Sequence, residues 1–272
     1  MPAPQGQTLS ELVKTLFRAK MIKVPDRWDG GLSDRFNAKT SEFQPSTPSP
    51  TGLFVPPSTS KIAVDASNSV GDQFASFIDD VCSAICLSWS TWQASATFAG
   101  VIINAGVGAL TPGGLVGVGG MSGPLILANV KGTKPGYVQY AQAIAMAIGQ
   151  SWLAWQSGYS NPAIPFPGGM VASVTMVPSP NVPVPLASGA SAGDALLQPA
   201  VLKAAMLAQY GPPGQHTEAL FDAMAQGFCQ VFLLWKGTST ITSILGAGGV
   251  APPPPSPPGP VAGAVGVGGM LT

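Results

Sequence analysis

The sequence predicts an α+β fold in which three pseudo-repeats, each an amphipathic helix followed by a glycine-rich β-hairpin, surround a pseudo-threefold axis. An extended proline-rich arm precedes them. A tryptophan-containing segment at residues 88–93 recurs at 151–156 and, more faintly, at 232–236. Each copy closes an apolar run with helical periodicity. Each is also followed by a closely spaced pair of glycines, the first of which lies 13 or 14 residues after the last tryptophan.

The spacing of the repeats favours a closed unit over an open array. The last tryptophans of the copies, Trp92, Trp155 and Trp235, lie 63 and 80 residues apart, which exceeds the periods of most solenoid repeats. We predict that they occupy equivalent positions about one axis. The alternative is chance similarity, which glycine- and alanine-rich sequences make easy. The predicted organisation is an N-terminal helix and arm at 1–71, then repeats at 72–130, 131–193 and 194–272, the last with an extra leading helix and a proline-rich insertion.

The composition indicates a folded protein with unusually little charge. Hydrophobic residues make up 46% of the 272 residues, which is enough for a core. Charged residues make up 9%, against about 25% in typical soluble domains. The formal net charge is zero and no basic block occurs, so the phosphate-neutralising surface of a nucleic-acid-binding protein is missing. So little charge predicts apolar surface that a protein partner covers.

The first predicted element is an amphipathic helix at residues 7–22, where apolar residues recur at helical spacing and basic residues lie on the other side. We expect Thr8 or Ser10 to cap it. Residues 1–7 have neither the basic nor the apolar region of a signal peptide. We therefore expect synthesis in the cytoplasm without such a peptide.

Residues 39–60 are rich in proline, serine and threonine and cannot build a core of their own. One interpretation is a linker. The other is an extended arm that becomes ordered on a neighbouring subunit and inserts its large apolar residues into grooves there. The expected anchors of such an arm are Phe43, Leu53 and Phe54.

The first two repeats each pass from a helix to β-like sequence. In the first, a helix from near Asp72 to Trp92 precedes a β-like segment at 97–103. In the second, a helix ending at Trp155 precedes a β-like segment at 170–177.

Prolines interrupt the chain around the third repeat. Residues 178–185 cannot form a central strand, because each proline lacks a ladder donor, so we expect a polyproline-like path at a sheet edge. A helix at about 195–209 is expected to be capped by Asp194, and the helix of the third repeat by Thr217. The tail contains a proline run at 252–258 and a hexapeptide at 265–270 that is identical to 116–121.

One catalytic motif needs consideration. Residues 189–193 match G-x-S-x-G, with Ser191 as the candidate nucleophile and His216 as the candidate base. The motif carries meaning only at a strand-to-helix elbow in a parallel α/β sheet, and no series of alternating strands and helices precedes it. A serine hydrolase is therefore a remote alternative, and we predict no catalytic residues.

The sequence also predicts no metal or cofactor site. Cys82, Cys86 and Cys229 are too few for a disulfide framework, and we interpret them as small buried apolar residues. A zinc site needs four ligands, and His216 is the only histidine of the chain.

The aromatic residues at the helix ends are candidates for a packing or interface role. A flat ligand could stack on them, but at a spacing of three along an apolar helix face such residues more often lie in a core or an interface. These residues are Trp89, Trp92, Trp152, Trp155, Phe232 and Trp235.

A membrane-active or pore-lining protein is the main alternative. The mean hydropathy is +0.31, and no charged residue occurs in 81–130. Polar residues, proline and glycine nevertheless interrupt every run of about 20 residues that would be needed to span a bilayer. The low charge keeps this alternative open.

The Trp-Gln helix end, followed by the glycine-rich residues 102–108 and 116–121, resembles the small helix-plus-glycine-hairpin structural proteins of tailed phages and phage-derived contractile tails. The resemblance covers residues 72–272. It implies a virion or tail component without catalytic residues. The proline-rich insertions at 178–185 and 252–258 depart from that pattern and leave the family undefined.

These observations favour a non-enzymatic structural subunit of a large assembly. Its expected partners are other structural proteins of the same assembly, including copies of itself, and its expected location is the assembled particle. No cofactor and no nucleic acid are expected.

Overall fold

Six α-helices occur in the part of the chain that the computed structural model describes, which is residues 2–24, 44–104, 106–119, 121–132, 134–166, 179–247 and 264–272. Short 3-10 turns precede α4 and α5. The helices are α1 (Gly6–Arg18), α2 (Lys61–Ser95), α3 (Gly123–Asn129), α4 (Val138–Gly158), α5 (Pro199–Tyr210) and α6 (Gln215–Thr238).

Ten strands follow or connect the long helices in the same described ranges. All pairings between them are antiparallel. The strands are β1 (Thr97–Phe98), β2 (Val101–Asn104), β3 (Val107–Leu110), β4 (Leu115–Val116), β5 (Tyr159–Pro165), β6 (Ser179–Pro180), β7 (Val184–Pro185), β8 (Ala190–Ser191), β9 (Thr240–Ala247) and β10 (Ala264–Leu271). Helices packed with an antiparallel sheet confirm the α+β class.

The main sheet joins segments that are far apart in the chain. Its strand order is β6-β9-β10-β2-β3-β5-β8, with β7 also paired to β9, while β1 and β4 form a separate pair. The neighbours β2 and β3, like β9 and β10, are hairpins that follow α2 and α6. Strand β6 comes after β5 in the chain and pairs with β9 at the other end of the order. The ten strands contain no charged residue.

Residues 179–185, the described part of the proline-rich segment, form the two-residue strands β6 and β7 beside β9. Because proline cannot donate to a ladder, such short pairings at the end of the order fit the predicted edge path. The predicted strand at 170–177 and the proline run at 252–258 lie outside the described residues.

The three long helices, α2, α4 and α6, end together at the sheet. A short helix, α1, α3 or α5, lies in each groove between them. Helix α1 contacts α2 and α6, α3 contacts α2 and α4, and α5 contacts α4 and α6. Leu9, Val13 and Phe17 of α1 are fully buried in its groove. Lys14 pairs with Asp79 of α2 at 2.8 Å. Buried residues of all four predicted segments form one hydrophobic cluster.

Three predicted helix caps are wrong. Helix α1 begins after Gln5 without a side-chain cap, and Ser10 instead donates to the Gln7 carbonyl oxygen from within the helix. Helix α6 begins after Gly214, which places Thr217 in the first turn. Helices α1 and α6 thus extend further towards their N-termini than the apolar periodicity indicates.

The third predicted cap, Asp194, does not cap the helix that follows it. Helix α5 begins at Pro199 after Gln198, and Asp194 lies within the preceding 3-10 turn, whose N-cap is Ser191.

Helix α2 also begins earlier than expected, at Lys61 rather than near Asp72. Its N-cap is Ser60, whose side chain accepts from the Ala63 N–H at 3.3 Å. This cap lies inside the segment that composition predicts to be irregular. The start of the helix was missed because residues 61–71 carry few large apolar side chains.

Two of the three predicted arm anchors pack against their own chain. Leu53 and Phe54 are buried, and the Phe54 ring lies 5.4 Å from that of Phe17 and 5.3 Å from that of Phe74. Phe43 lies outside the described residues. The prediction that Leu53 and Phe54 insert into a neighbouring subunit is therefore wrong, because both complete the core of their own chain, while insertion of Phe43 stays a prediction.

Candidate functional site: an aromatic centre at the helix ends

The six aromatic residues predicted to pack at the helix ends converge on one place, where α2, α4 and α6 meet the sheet. Each is at most 1% exposed, so none lies on the surface. They come in pairs three residues apart, one pair from each helix. They are Trp89 and Trp92 of α2, Trp152 and Trp155 of α4, and Phe232 and Trp235 of α6.

The aromatic centre has two layers of three rings, and the ring separations are nearly uniform in the layer at the helix ends. The rings of Trp92, Trp155 and Trp235 are separated by 6.1, 6.0 and 6.1 Å. One turn earlier, the rings of Trp89, Trp152 and Phe232 are separated by 4.9, 5.8 and 6.2 Å.

Three contacts between the two layers are edge-to-face, one for each pair of long helices, whereas the contact of Trp152 with Trp235 is tilted at 42°. Trp92 meets Trp152 at 4.8 Å and 86°, and Trp155 meets Phe232 at 5.2 Å and 85°. Trp235 meets Trp89 at 5.1 Å and 77°. Such geometry brings the positive ring edge to the negative ring face.

Glutamine side chains that follow the tryptophans join the helices by hydrogen bonds. Trp92 Nε1 donates to Gln156 Oε1 at 2.7 Å, which links α2 to α4. Trp235 Nε1 donates to Gln93 Oε1 at 3.0 Å, which links α6 to α2. In each case the acceptor directly follows the last tryptophan of another helix.

The corresponding link from α4 to α6 is not formed among the described residues. The buried Trp155 Nε1 has no acceptor there. The residue after Trp235 is Lys236, which is a donor and cannot accept. Its ammonium group pairs instead with Asp194 at 2.7 Å.

Glycine allows the sheet to approach the aromatic centre. A side chain at Gly117, just after β4, would collide with Trp92 Nε1. At Gly117 the absence of a side chain is therefore required by close approach of backbone to indole. The sequence pattern indicates glycines after the helix ends as markers of turns and does not indicate this packing role.

Ser191 has a structural role in this arrangement. Its hydroxyl donates to the Trp155 carbonyl oxygen at 2.7 Å and accepts from the Gly193 N–H at 3.0 Å. Asp194 completes a capping box by accepting from the Ser191 N–H at 2.9 Å. Ser191 ends a two-residue strand of an antiparallel sheet, which is not the parallel-sheet elbow that a hydrolase motif needs.

His216 lies at the start of α6 beside Tyr140 of α4. Its Nε2 is hydrogen-bonded to the Tyr140 hydroxyl at 2.9 Å. Partial burial lowers the pKa of His216 below its ordinary value of 6.5, because desolvation disfavours the charged imidazolium.

The lowered pKa of His216 predicts a loss of stability on mild acidification. The unfolded state binds this proton at a higher pH than the folded state, so the free energy of unfolding falls as pH drops through and below about 6.5. Denaturant titrations between pH 7.5 and 5.5 measure this slope. The variant His216→Gln is expected to flatten it, because the chain has one histidine. An unchanged slope in that variant would contradict the assignment.

The cysteines lie in the hydrophobic core as free thiols. Burial raises the pKa of Cys86 and Cys229 to about 12, so neither thiol is a nucleophile at neutral pH. Among the described residues, no group of three or more histidine, cysteine or acidic side chains is placed to hold a metal ion.

Comparisons with known proteins give no relative. No protein-family model matches the chain, and neither the curated proteins nor the solved structures contain a significant match. The fold and the aromatic centre therefore define only a class, an α+β protein with a tryptophan-rich core.

None of the helices in the described ranges combines the length and hydropathy needed to span a bilayer.

Proposed function

We propose that the chain is a non-enzymatic structural subunit of a large protein assembly, of the kind found in phage virions and phage-derived contractile tails. It packs against other structural proteins of the particle, including copies of itself, and its N-terminal arm tethers neighbours. The observation that carries this proposal is the uncharged sheet end of the molecule. Exposed apolar side chains there include Ile102, Val107, Val118, Leu245 and Met270, with Val118 at 76% and Met270 at 55% exposure.

An uncharged apolar sheet surface favours a protein partner. No charged residue occurs in the sequence ranges 81–130, 135–193 and 237–272, which contain all ten strands. Exposed apolar patches of this kind mark interaction surfaces in folded proteins. Burial in an assembly removes that apolar surface from water without the cost of desolvating charges.

The second part of the proposal is a pseudo-threefold core. Each unit consists of a long helix, its terminal aromatic pair and the strands that follow. The three equal ring separations of about 6 Å, and the three edge-to-face contacts between layers, support equivalent positions for Trp92, Trp155 and Trp235. The two Trp-to-Gln hydrogen bonds run in the same direction around the axis, from α6 to α2 and from α2 to α4. Lys236 occupies the position of the third acceptor, so the cycle of hydrogen bonds is interrupted between α4 and α6.

This arrangement makes a prediction about three matched variants. Trp92→Phe and Trp235→Phe each lose an indole hydrogen bond and leave a glutamine oxygen without its donor, whereas Trp155→Phe loses none. We expect the first two to lower the free energy of unfolding by about 1 kcal/mol more than the third. Denaturant unfolding of the three variants measures the difference. Equal losses at all three positions would contradict the interrupted cycle.

The proposed function is tested by measuring whether the purified protein self-associates. Sedimentation velocity of the purified full chain over a hundredfold concentration range is expected to give a mass that rises with concentration. A compact monomer throughout, with no binding to particle components, would overturn the structural role.

The membrane-active alternative uses the same exposed apolar surface and is separated by a second measurement. Flotation with neutral phosphatidylcholine vesicles is expected to leave the protein in the aqueous fraction. Recovery of most of the protein with the vesicles would favour the membrane-active role instead.

A further inference from the structure

Strand β10 fills a slot between two strands that come from distant parts of the chain. It pairs with β9 over residues 265–271 and with β2 over residues 264–266. In the strand order, β10 alone separates β9 from β2. The fully buried side chains of Val101 on β2 and Ile244 on β9 both lie against its backbone at Gly266. Without β10 the sheet would therefore be open at this point and would expose part of the core.

The slot requires a strand with glycine at defined positions. A methyl group at Gly266 would lie 2.8 Å from Ile244 and 2.9 Å from Val101, which is too close for either side chain to remain in place. Gly268 and Gly269 have φ angles of +80° and +97°, a backbone conformation that residues with a side chain rarely adopt. The slot is therefore specific for the glycine pattern of β10.

Backbone pairing contributes much of what holds β10 in the slot. Among its large side chains whose burial is described, Leu271 is buried, whereas Met270 is 55% exposed. The ends of the two strands are joined by reciprocal backbone hydrogen bonds between Thr240 and Thr272, at 2.9 and 3.0 Å. All of these contacts depend on the strand and not on the molecule from which it comes. The β10 strand of a second copy would therefore make the same contacts.

The connection from β9 to β10 is much longer than their pairing requires. Ala247 at the end of β9 lies opposite Val265 of β10, and antiparallel strands in this position are usually joined by about 2–5 residues. The connection is formed by residues 248–263, which lie outside the described ranges. A connection of this length is long enough for β10 to reach the sheet of an adjacent molecule.

The sequence of this connection favours an adjacent molecule over the same chain. Residues 252–260 are all proline except Ser256 and Gly259. Proline-rich spacers are semi-rigid and extend by about 3.1 Å per residue, or roughly 28 Å for this stretch. Return of β10 to its own β9 would require the residues on both sides to run back along such a spacer, because each residue spans at most about 3.6 Å. Pairing with a second molecule removes this requirement.

We propose that two copies of this chain exchange β10, so that the β10 strand of each copy occupies the slot between β9 and β2 of the other. This proposal rests on the proposed structural role, and it names the partner and the surface through which copies associate. Reciprocal exchange gives a two-fold interface that uses the contacts described above. The high local concentration of copies in a particle favours exchange over closure on the same chain.

Disulfide trapping between two differently tagged full-length chains tests the exchange. One chain carries Thr240→Cys and the other carries Thr272→Cys, because the side-chain oxygens of these residues lie 2.9 Å apart. The chains are co-expressed so that exchange can occur during folding, and the native thiols are buried and do not compete. The matched control is Thr97→Cys with Val116→Cys, two exposed residues that lie opposite each other on β1 and β4. We expect about tenfold more inter-chain disulfide from the first pair.

A single chain that carries both Thr240→Cys and Thr272→Cys provides the second test. Refolding at high dilution followed by oxidation links β10 to its own β9. We expect this closed form to self-associate about tenfold more weakly in sedimentation velocity than the same protein after reduction, because the closed strand cannot be exchanged. The reduced protein is its own control for any effect of the two substitutions on folding.

Two outcomes would overturn the exchange. One is an equal yield of inter-chain disulfide from the two cysteine pairs, and the other is self-association that is the same with the disulfide closed and reduced. If either outcome occurs in a protein that still self-associates, the exchange fails while the structural role stands. A protein that is monomeric in both redox states contradicts both.

Discussion

Replacing Trp152 by alanine is expected to lower the free energy of unfolding by about 3–5 kcal/mol, the range for a large aromatic residue deleted from a core. Trp152 is fully buried and contacts five aromatic rings of all three long helices. Its removal leaves a cavity at the centre, which the surrounding helices cannot close without separating from the sheet. Denaturant unfolding followed by tryptophan fluorescence and by circular dichroism measures the loss.

The next residue along α4 provides the matched control for Trp152. Leu153 is half exposed, so Leu153→Ala is expected to change the free energy of unfolding by no more than about 0.5 kcal/mol. Similar losses at the two positions would mean that the aromatic centre does not hold the helices together.

Replacing Gly149 by alanine is the second large effect that we expect. A methyl group there would collide with the backbone of Gly123 at the start of α3. Backbone cannot rotate away as a flexible side chain can, so α3 must shift from its groove. We expect a loss of about 1–3 kcal/mol, despite the higher helix propensity of alanine. Thermal unfolding gives the change.

Gly237 of α6 serves as the control for that substitution. It is also a glycine in a helix, but no atom lies near the position of an added methyl group. Gly237→Ala is therefore expected to stabilise the protein by about 0.5–1 kcal/mol. Stabilisation by both substitutions would contradict the close contact between α3 and α4.

The sequence predicted the long helices and the aromatic residues at their ends because both depend on local periodicity. The apolar spacing along α2 and α4 places Trp92 and Trp155 on buried faces, and a buried helix face is a property of the helix itself. Convergence of the three helix ends on one centre follows from the recurrence of the motif together with a shared core. Equivalence about a threefold axis remains a proposal.

The helix starts and the order of the strands depend on contacts that local patterns do not encode. Ser60 caps α2 from within a segment whose composition indicates a linker. The pairing of β10 with β2 joins residues more than 150 positions apart, and no local signal specifies it.

Identical sequences also adopt different structures here. Residues 265–270 lie within the eight-residue strand β10, whereas among the described residues of their copy at 116–121, which exclude residue 120, only Val116 is in a strand. Partner strands decide the outcome, since β10 lies between β9 and β2 and β4 pairs only with β1.

The roles of the polar residues at the aromatic centre were the hardest to predict. Gln93 and Gln156 belong to the repeated motif, so their recurrence was a usable signal. Only the distances from the indole nitrogens to their side-chain oxygens identify them as hydrogen-bond acceptors. The pairing of Lys236 with Asp194 had no such signal, because the two residues lie 42 positions apart in different elements.

Electron cryomicroscopy of the purified full chain, at the concentration where sedimentation shows association, tests the structural role most directly. The account predicts ordered particles in which a neighbouring chain covers the uncharged sheet surface around Ile102, Leu245 and Met270. Isolated molecules at every concentration, with that surface open to solvent, would contradict it.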